Sequence, residues 1–161
     1  MTEDNSAFER LRSLLAATPP PQDGFCLRVL DATRGTQIAH SLRIAGSSGE
    51  RSRGLLGRKS LEPGTGLWIV PCEAVHTFWM KFAIDLIYLD RELRIRKLRH
   101  SVPAWRISAC FSAHSVLELP SGAIREAQAE LGDRIDFAGG NFDLPDHAGP
   151  AQPDVPSAAP G

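Results

Sequence analysis

Few features of this 161-residue sequence announce a function, and the absences bound what it can be. No apolar run approaches the roughly 20 residues a membrane-crossing helix needs. The opening Met1-Thr-Glu-Asp-Asn5 is acidic and lacks both the basic and the apolar region of a secretory signal, so a cytoplasmic setting is expected. Only three cysteines are present, none in a CxxC pair, which excludes a disulfide scaffold and fits a reducing compartment. Charge of one sign is missing too. With 18 basic against 19 acidic residues, there is no net field to gather nucleic acid or anionic lipid. No GxSxG, HExxH, Walker or Rossmann fingerprint occurs, so no standard catalytic signature supports an enzyme.

What remains is a 42% hydrophobic composition, sufficient for one core in a chain of single-domain length. The ends differ from the middle. Phe8, Leu11, Leu14 and Leu15 recur at helical spacing, and Thr18-Pro-Pro-Pro-Gln-Asp-Gly24 stops that helix. Residues 139–161 are rich in Pro, Gly and Ala and read as a disordered tail. Residues 1–23 are thus a short helix and linker, and residues 24–138 a single globular domain.

Within that body, Phe25, Leu27 and Val29 alternate as a strand, and Ile38, His40, Leu42 and Ile44 share one face of a second. Ser47 with Glu50 three positions later is a capping box, opening a helix over Glu50 to Leu56 that Gly57 can close. Leu67 to Val70 reads as a strand, Ala74 to Met80 as another extended segment, and Ile84 to Leu89 as a buried strand. Leu93 to Leu98 is its hairpin partner, and Ser115 to Leu119 one more strand. A helix carrying Ile124, Ala127 and Leu131 on one side follows, and Phe137 ends a closing strand. The expected class is α+β: a strongly curved, mostly antiparallel sheet or partial barrel with one or two short packed helices.

Reactive and unusual side chains concentrate between Cys72 and Asp85. The two-residue period of an extended chain puts Cys72, Ala74, His76, Phe78 and Met80 on one face and Thr77, Trp79 and Lys81 on the other. Cys72-x3-His76 recurs as Cys110-x3-His114, a ligand set suited in type to tetrahedral zinc. The competing reading makes both cysteines small core residues. No cofactor other than that zinc is expected. Asp85 opens an apolar strand and must be hydrogen-bonded there, either as a ligand acceptor or as a strand-end acceptor for backbone amides or an arginine such as Arg53 or Arg106. Glu118 alternates with Leu117 and Leu119, and a solvent face suffices for it. Arg91, Arg94, Arg96, Lys97 and Arg99 form a basic cluster that reads as one wet hairpin face, since stacking aromatics are absent.

Several blocks in order carry a family resemblance: Arg51-Ser-Arg-Gly-Leu-Leu-Gly-Arg58, Gly66-Leu-Trp-Ile69, His76-Thr-Phe-Trp-Met-Lys-Phe-Ala-Ile-Asp-Leu-Ile-Tyr-Leu-Asp90, Val116-Leu-Glu-Leu-Pro-Ser-Gly122 and Gly132-Asp133. Over roughly residues 36–137 the chain resembles the domain-of-unknown-function 192 family. Ala83 stands where that pattern often has Pro, and Leu56 and Leu67 where it often has Met. The resemblance implies a compact mixed domain around a strongly curved sheet, and no activity. It draws attention to Arg53, Arg58, His76, Thr77, Lys81, Asp85 and Glu118.

Three functional classes follow. The first is a binding module for a small molecule or peptide, with His76, Thr77, Lys81 and Asp85 in a pocket walled by Trp68, Phe78 and Trp79 and with Arg53 or Arg106 pairing an anionic group. The second is a structural or accessory protein-interaction domain without chemistry. The third is a small hydrolase or metal-dependent enzyme using Cys72, His76 and Asp85.

Overall fold

The computed structural model describes residues 27–139. The expected N-terminal helix, the Pro-rich linker and nearly all of the expected tail lie outside those residues, as does Cys26. Strands dominate. In chain order they are β1 (Leu27–Asp31), β2 (Thr36–Ala45), β3 (Thr65–Ile69), β4 (Ala74–His76), β5 (Ile84–Leu89), β6 (Ile95–Val102), β7 (Ile107–Ala109), β8 (Ser115–Pro120) and β9 (Ile135–Gly139). Two short helices interrupt them, α1 (Ser48–Arg53) and α2 (Ala123–Ala127).

Seven strands form one curled sheet in the order β6-β5-β8-β3-β2-β1-β9, and β4 pairs with β7 in a separate two-stranded layer. Every pairing is antiparallel except β2 with β3, where α1 and its following loop carry the chain back to run alongside. The curl brings the two edge strands together at one end. Arg94, just before β6, bridges Arg134, just before β9. Ile95 N–H donates to Asp133 O at 2.9 Å, and Ile135 N–H to Leu93 O at 2.8 Å. The result is a half-barrel.

Alternation along the central strands feeds two cores rather than one. On the inner side of the curl, Ile87, Leu89, Leu117, Leu119 and Trp68 pack with residues of β1, β2 and α2. On the opposite side, Ile84, Leu86, Tyr88, Val116, Leu67 and Ile69 pack beneath Val75, Met80, Leu55 and Ala113. All six residues of β5 are therefore buried, which is why it reads as an unbroken apolar run. Gly66 reflects the same density. A Cβ there would meet Leu119 Cδ2 at 2.8 Å, Glu118 O at 2.9 Å and Leu42 Cδ1 at 2.9 Å, so only hydrogen fits.

Several sequence expectations shift at this level. The capping box at Ser47 and Glu50 forms, but the helix ends at Arg53, with Gly54 at φ 48° as its cap in place of Gly57. The extended segment expected to reach Met80 stops at His76, because Trp79 turns the chain at φ 59°. The hairpin partner of β5 runs on to Val102, and β7 adds a short strand beyond those the periodicity predicts. Leu131 is two-thirds exposed, since α2 has ended before it. Lys97 leaves the expected wet face: its Nζ donates to Ala109 O at 2.7 Å and lies 5.7 Å from the Tyr88 ring centroid.

Asp85 is the polar pin of this architecture. Fully buried on β5, it accepts from Ser101 N–H at 2.8 Å, Gly122 N–H at 3.0 Å and Ile124 N–H at 3.0 Å. One carboxylate thus ties β5 to the end of β6 and to the start of α2. Removing it leaves three amides without that acceptor. Asp85→Ala is expected to lower stability by at least ~3 kcal/mol, with a urea midpoint shift as the measurement; a loss under ~1 kcal/mol would remove this role.

Candidate functional site

A cleft of about 510 Å³ opens between α1 with its following turn, the Pro71–His76 segment and the outer face of the sheet. The capping box orients α1 so that Arg51, Arg53 and Gly54 face this space. Strand β4, held against β7 by the Ala74–Ala109 to His76–Ile107 register, supplies the opposite wall. Its floor includes Ile69, Met80 and the carboxyl group of Glu118.

Glu118 is the unusual group. It is only 3% exposed, and its Oε2 has no hydrogen-bond partner. Burial alone, with no compensating cation, pushes its carboxyl up to about 7. Gly54 lies over the carboxyl, where an added Cβ would be in ordinary contact at 3.6 Å from Glu118 Oε2, and its φ of 48° is what disfavours a side chain there. The expected solvent face for Glu118 is overturned. Alternation does place it opposite Leu117 and Leu119, but that second face is itself covered by β4, β7 and the turn after α1.

Around the carboxyl, Cys72 donates from Sγ to Ala74 O at 3.2 Å, and burial pushes its thiol up, away from the reactive thiolate. His76 lines the cleft from the exposed end of β4 and stacks on Phe78 with ring centroids 5.0 Å apart. Phe78 continues into a cluster with Trp79 and Trp105, whose rings lie 5.9 Å and 5.7 Å from it and 5.2 Å from each other. Trp79 and Trp105 are both more than half exposed, and both have positive φ. Thr77 sets this arrangement. Buried, it donates from Oγ1 to Pro103 O at 2.7 Å and accepts from Arg106 N–H at 3.0 Å, while Trp105 N–H donates to its carbonyl at 3.0 Å.

The residues singled out in the sequence therefore divide. His76 and Arg53 both line the cleft, from opposite walls. Thr77 and Asp85 are engaged by backbone groups, so the Cys72, His76 and Asp85 combination does not assemble. Trp79 belongs to the aromatic face beside the cleft, Arg106 follows Trp105 there, and Lys81 is exposed outside it. Trp68 is no pocket wall: it is fully buried in the inner core, stacked 4.5 Å from Phe137. Phe78 and Trp79 touch instead of facing opposite ways, because the turn at Trp79 breaks the two-residue period. The Cys72, His76, Cys110 and His114 set does not gather either. Among the described residues no three His, Cys, Asp or Glu side chains cluster closely enough to hold a metal ion, and Cys110 Sγ lies 3.4 Å from Ser112 Oγ.

Sequence reasoning missed Arg51, and it marked Glu118 among the polar positions of the family blocks without placing it in a pocket. A signal for Glu118 existed: Ser115 to Leu119 is apolar on both sides of the glutamate, the mark of a strand buried on both faces rather than one.

Comparison with known proteins matches residues 29–137 to the DUF192 family, described as an uncharacterized ACR. A UPF0127 protein of Thermococcus sibiricus is 30% identical over 118 residues, covering 68% of this chain and 73% of its own length. One from Pyrococcus furiosus is 30% identical over 115 residues and is covered to 97%. Among solved structures, a candidate transcription regulator from Sinorhizobium meliloti superposes with a TM-score of 0.62 at 19% identity, covering 74% of this chain and 98% of its own. A protein of unknown function from Novosphingobium aromaticivorans gives 0.61 at 18% identity, covering 77% and 96%. At these identities the structures share the fold alone.

The Glu118 carboxyl has a signed pH consequence. Below about pH 4.5, its ordinary value, both folded and unfolded chains hold the proton and the group contributes nothing. Between about 4.5 and 7 the unfolded chain ionises first, so stability falls as pH rises; above about 7 the full penalty persists. Glu118→Gln is expected to gain on the wild type by ~3 kcal/mol between pH 4.5 and pH 8, read from paired urea titrations. A difference independent of pH would refute an unpaired buried carboxyl.

Proposed function

Since the chain belongs to the DUF192 family, which supplies no assigned activity, we propose its function from the cleft: a binding module for a small molecule, with Glu118 as the group that recognises it. The carrying observation is the buried, unpartnered Glu118 Oε2 at the floor of an open cleft of about 510 Å³. A polar group kept dry and unpaired costs stability, on the order of 1–3 kcal/mol, and a bound donor would relieve that cost. The cavity lies in the usual range for small-molecule sites, roughly 300–1,000 Å³. Its walls mix apolar surface from Leu55, Ile69, Val75 and Met80 with a few polar groups, His76 and Arg53 among them.

A cytoplasmic setting suits the two described thiols, Cys72 and Cys110, which are unbridged. No helix among the described residues is long and apolar enough to cross a membrane.

A second reading, an accessory protein-interaction domain without chemistry, draws support from the exposed Trp79 and Trp105 beside the cleft. Both are held in positive-φ conformations, which for non-glycine residues cost about 1 kcal/mol or more each. The two readings part on where binding energy resides.

The test is a fragment screen by thermal shift on the wild type, on Glu118→Gln and on Ala74→Trp, an exposed wall position chosen to fill the cleft. Fragments that stabilise the wild type by 2 °C or more (about 1 kcal/mol or less in a domain of this size) and lose that effect in both variants support the module. Hits indifferent to both variants, or no hits at all, reject it in favour of the interaction domain.

A further inference from the structure

The cleft carries charge of both signs in a fixed order, and that order describes its ligand. Its charged and titratable lining groups are Arg51 and Arg53 on α1, Glu73 and His76 on the opposite wall, and Glu118 at the floor, with the neutral thiol of Cys72 between. The two basic groups and the two acidic ones are not spent on each other: among the described residues neither arginine makes an ion pair with Glu73 or Glu118. Arg51 uses one guanidinium nitrogen, Nη1, on Gly46 O, which leaves other donors of its fork unused. Arg53 is exposed, and no ion pair or hydrogen bond engages its side chain among the described residues.

A purely anionic ligand would suit the arginine wall but press the Glu118 carboxyl further into its neutral form, leaving it without the cation that would let it ionise. A purely cationic one would satisfy Glu118 and face two arginines. A molecule with one group of each sign, a few ångströms apart, meets neither conflict. We infer that the cleft binds a small zwitterion of amino-acid to dipeptide size, its ammonium group donating to Glu118 and its carboxylate facing Arg51 and Arg53. This rests on the binding-module reading above and narrows it to a ligand class.

The geometry limits size as well as charge. A cavity of about 510 Å³ holds a dipeptide with room for water but not a folded peptide segment. The apolar stretch formed by Leu55, Ile69, Val75 and Met80 would take an aliphatic or aromatic side chain of the ligand. An ammonium on Glu118 stabilises the ionised carboxylate, so binding near neutral pH expels the proton that burial retains in the empty site. Proton release is therefore a signature that packing alone does not produce.

The experiment is isothermal titration of the full chain at pH 7 with the twenty amino acids and a set of dipeptides, in phosphate and in Tris. The best binder is then repeated as its N-acetyl and C-terminal amide derivatives. Blocking either end is expected to weaken binding at least tenfold. Glu118→Gln should weaken the parent zwitterion tenfold while changing the N-acetyl compound less than threefold, and Arg53→Gln should do the same with respect to the amide. The apparent enthalpy should differ between the two buffers by about half the difference in their heats of ionisation, since the empty site holds about half a proton at pH 7. Thermal melts of each variant establish folding beforehand. If the N-acetyl or amide compound binds as well as its parent, the ligand class is wrong. If no zwitterion binds while neutral fragments still require Glu118, the class is wrong and the binding module stands. If nothing in either set depends on Glu118, both fall together.

Discussion

The covering of the central strands on both faces is the constraint from which the rest of this structure follows. Strands β5, β8 and β3 send alternate side chains into an inner core bounded by the curl and α2, and into an outer core beneath β4, β7 and the loop after α1. A sheet with one wet face has only to hide half its residues. Here both faces are dry, so any polar group on a central strand must find a partner or stand unpaired. Asp85 and Glu118 are the two outcomes. Both are carboxylates on adjacent antiparallel strands, one position away from direct pairing, since Asp85 pairs Leu119 and Leu86 pairs Glu118. Asp85 points inward, where the end of β6 and the start of α2 present three amides. Glu118 points outward, where Gly54 and the cleft present none.

That contrast separates a satisfied buried carboxylate from an unsatisfied one. A buried carboxylate with three N–H donors is held as firmly as the backbone around it. A buried carboxyl with none is a standing electrostatic cost, because desolvation is not offset by any local charge. Proteins retain such groups mainly at places that act on something else. The aromatic face beside the cleft carries a related cost in backbone form, with Trp79 and Trp105 at positive φ and their position fixed by Thr77.

The architecture was largely legible in the sequence, because it is written in hydrophobic periodicity and turn chemistry. The unbroken run Ile84 to Leu89 identifies a central strand, and Ser47 with Glu50 identifies where α1 begins. The ends of elements were less legible. The stop at His76 depends on a non-glycine turn at Trp79, which no local residue preference signals, and β7 is short and sheds its pattern among loop residues. The site was legible in part. Arg53 and His76 stand out in the sequence as unusual groups of the family blocks, and both line the cleft. Alternation alone gives Glu118 a solvent face, because it assigns a face and cannot say whether that face is wet. Only the second layer decides it, and that layer is assembled from β4, β7 and the loop after α1, three separate stretches of the chain. For Asp85 the sequence leaves two readings, a ligand acceptor and an acceptor for backbone amides, and the amides of Ser101, Gly122 and Ile124, far along the chain, take up both oxygens.

The pairing of the first and last described strands has a consequence for how such a domain can be combined with others. Leu27 and Gly139 are direct partners in the β1–β9 ladder, so the chain enters and leaves this unit at neighbouring points on one rim. Antiparallel partners sit only ~5 Å apart at their Cα atoms. A unit with its two ends that close can be spliced as a single insert into a surface turn of a host protein without prising the host apart, and its cleft and aromatic face, built from residues between those ends, would travel with it intact.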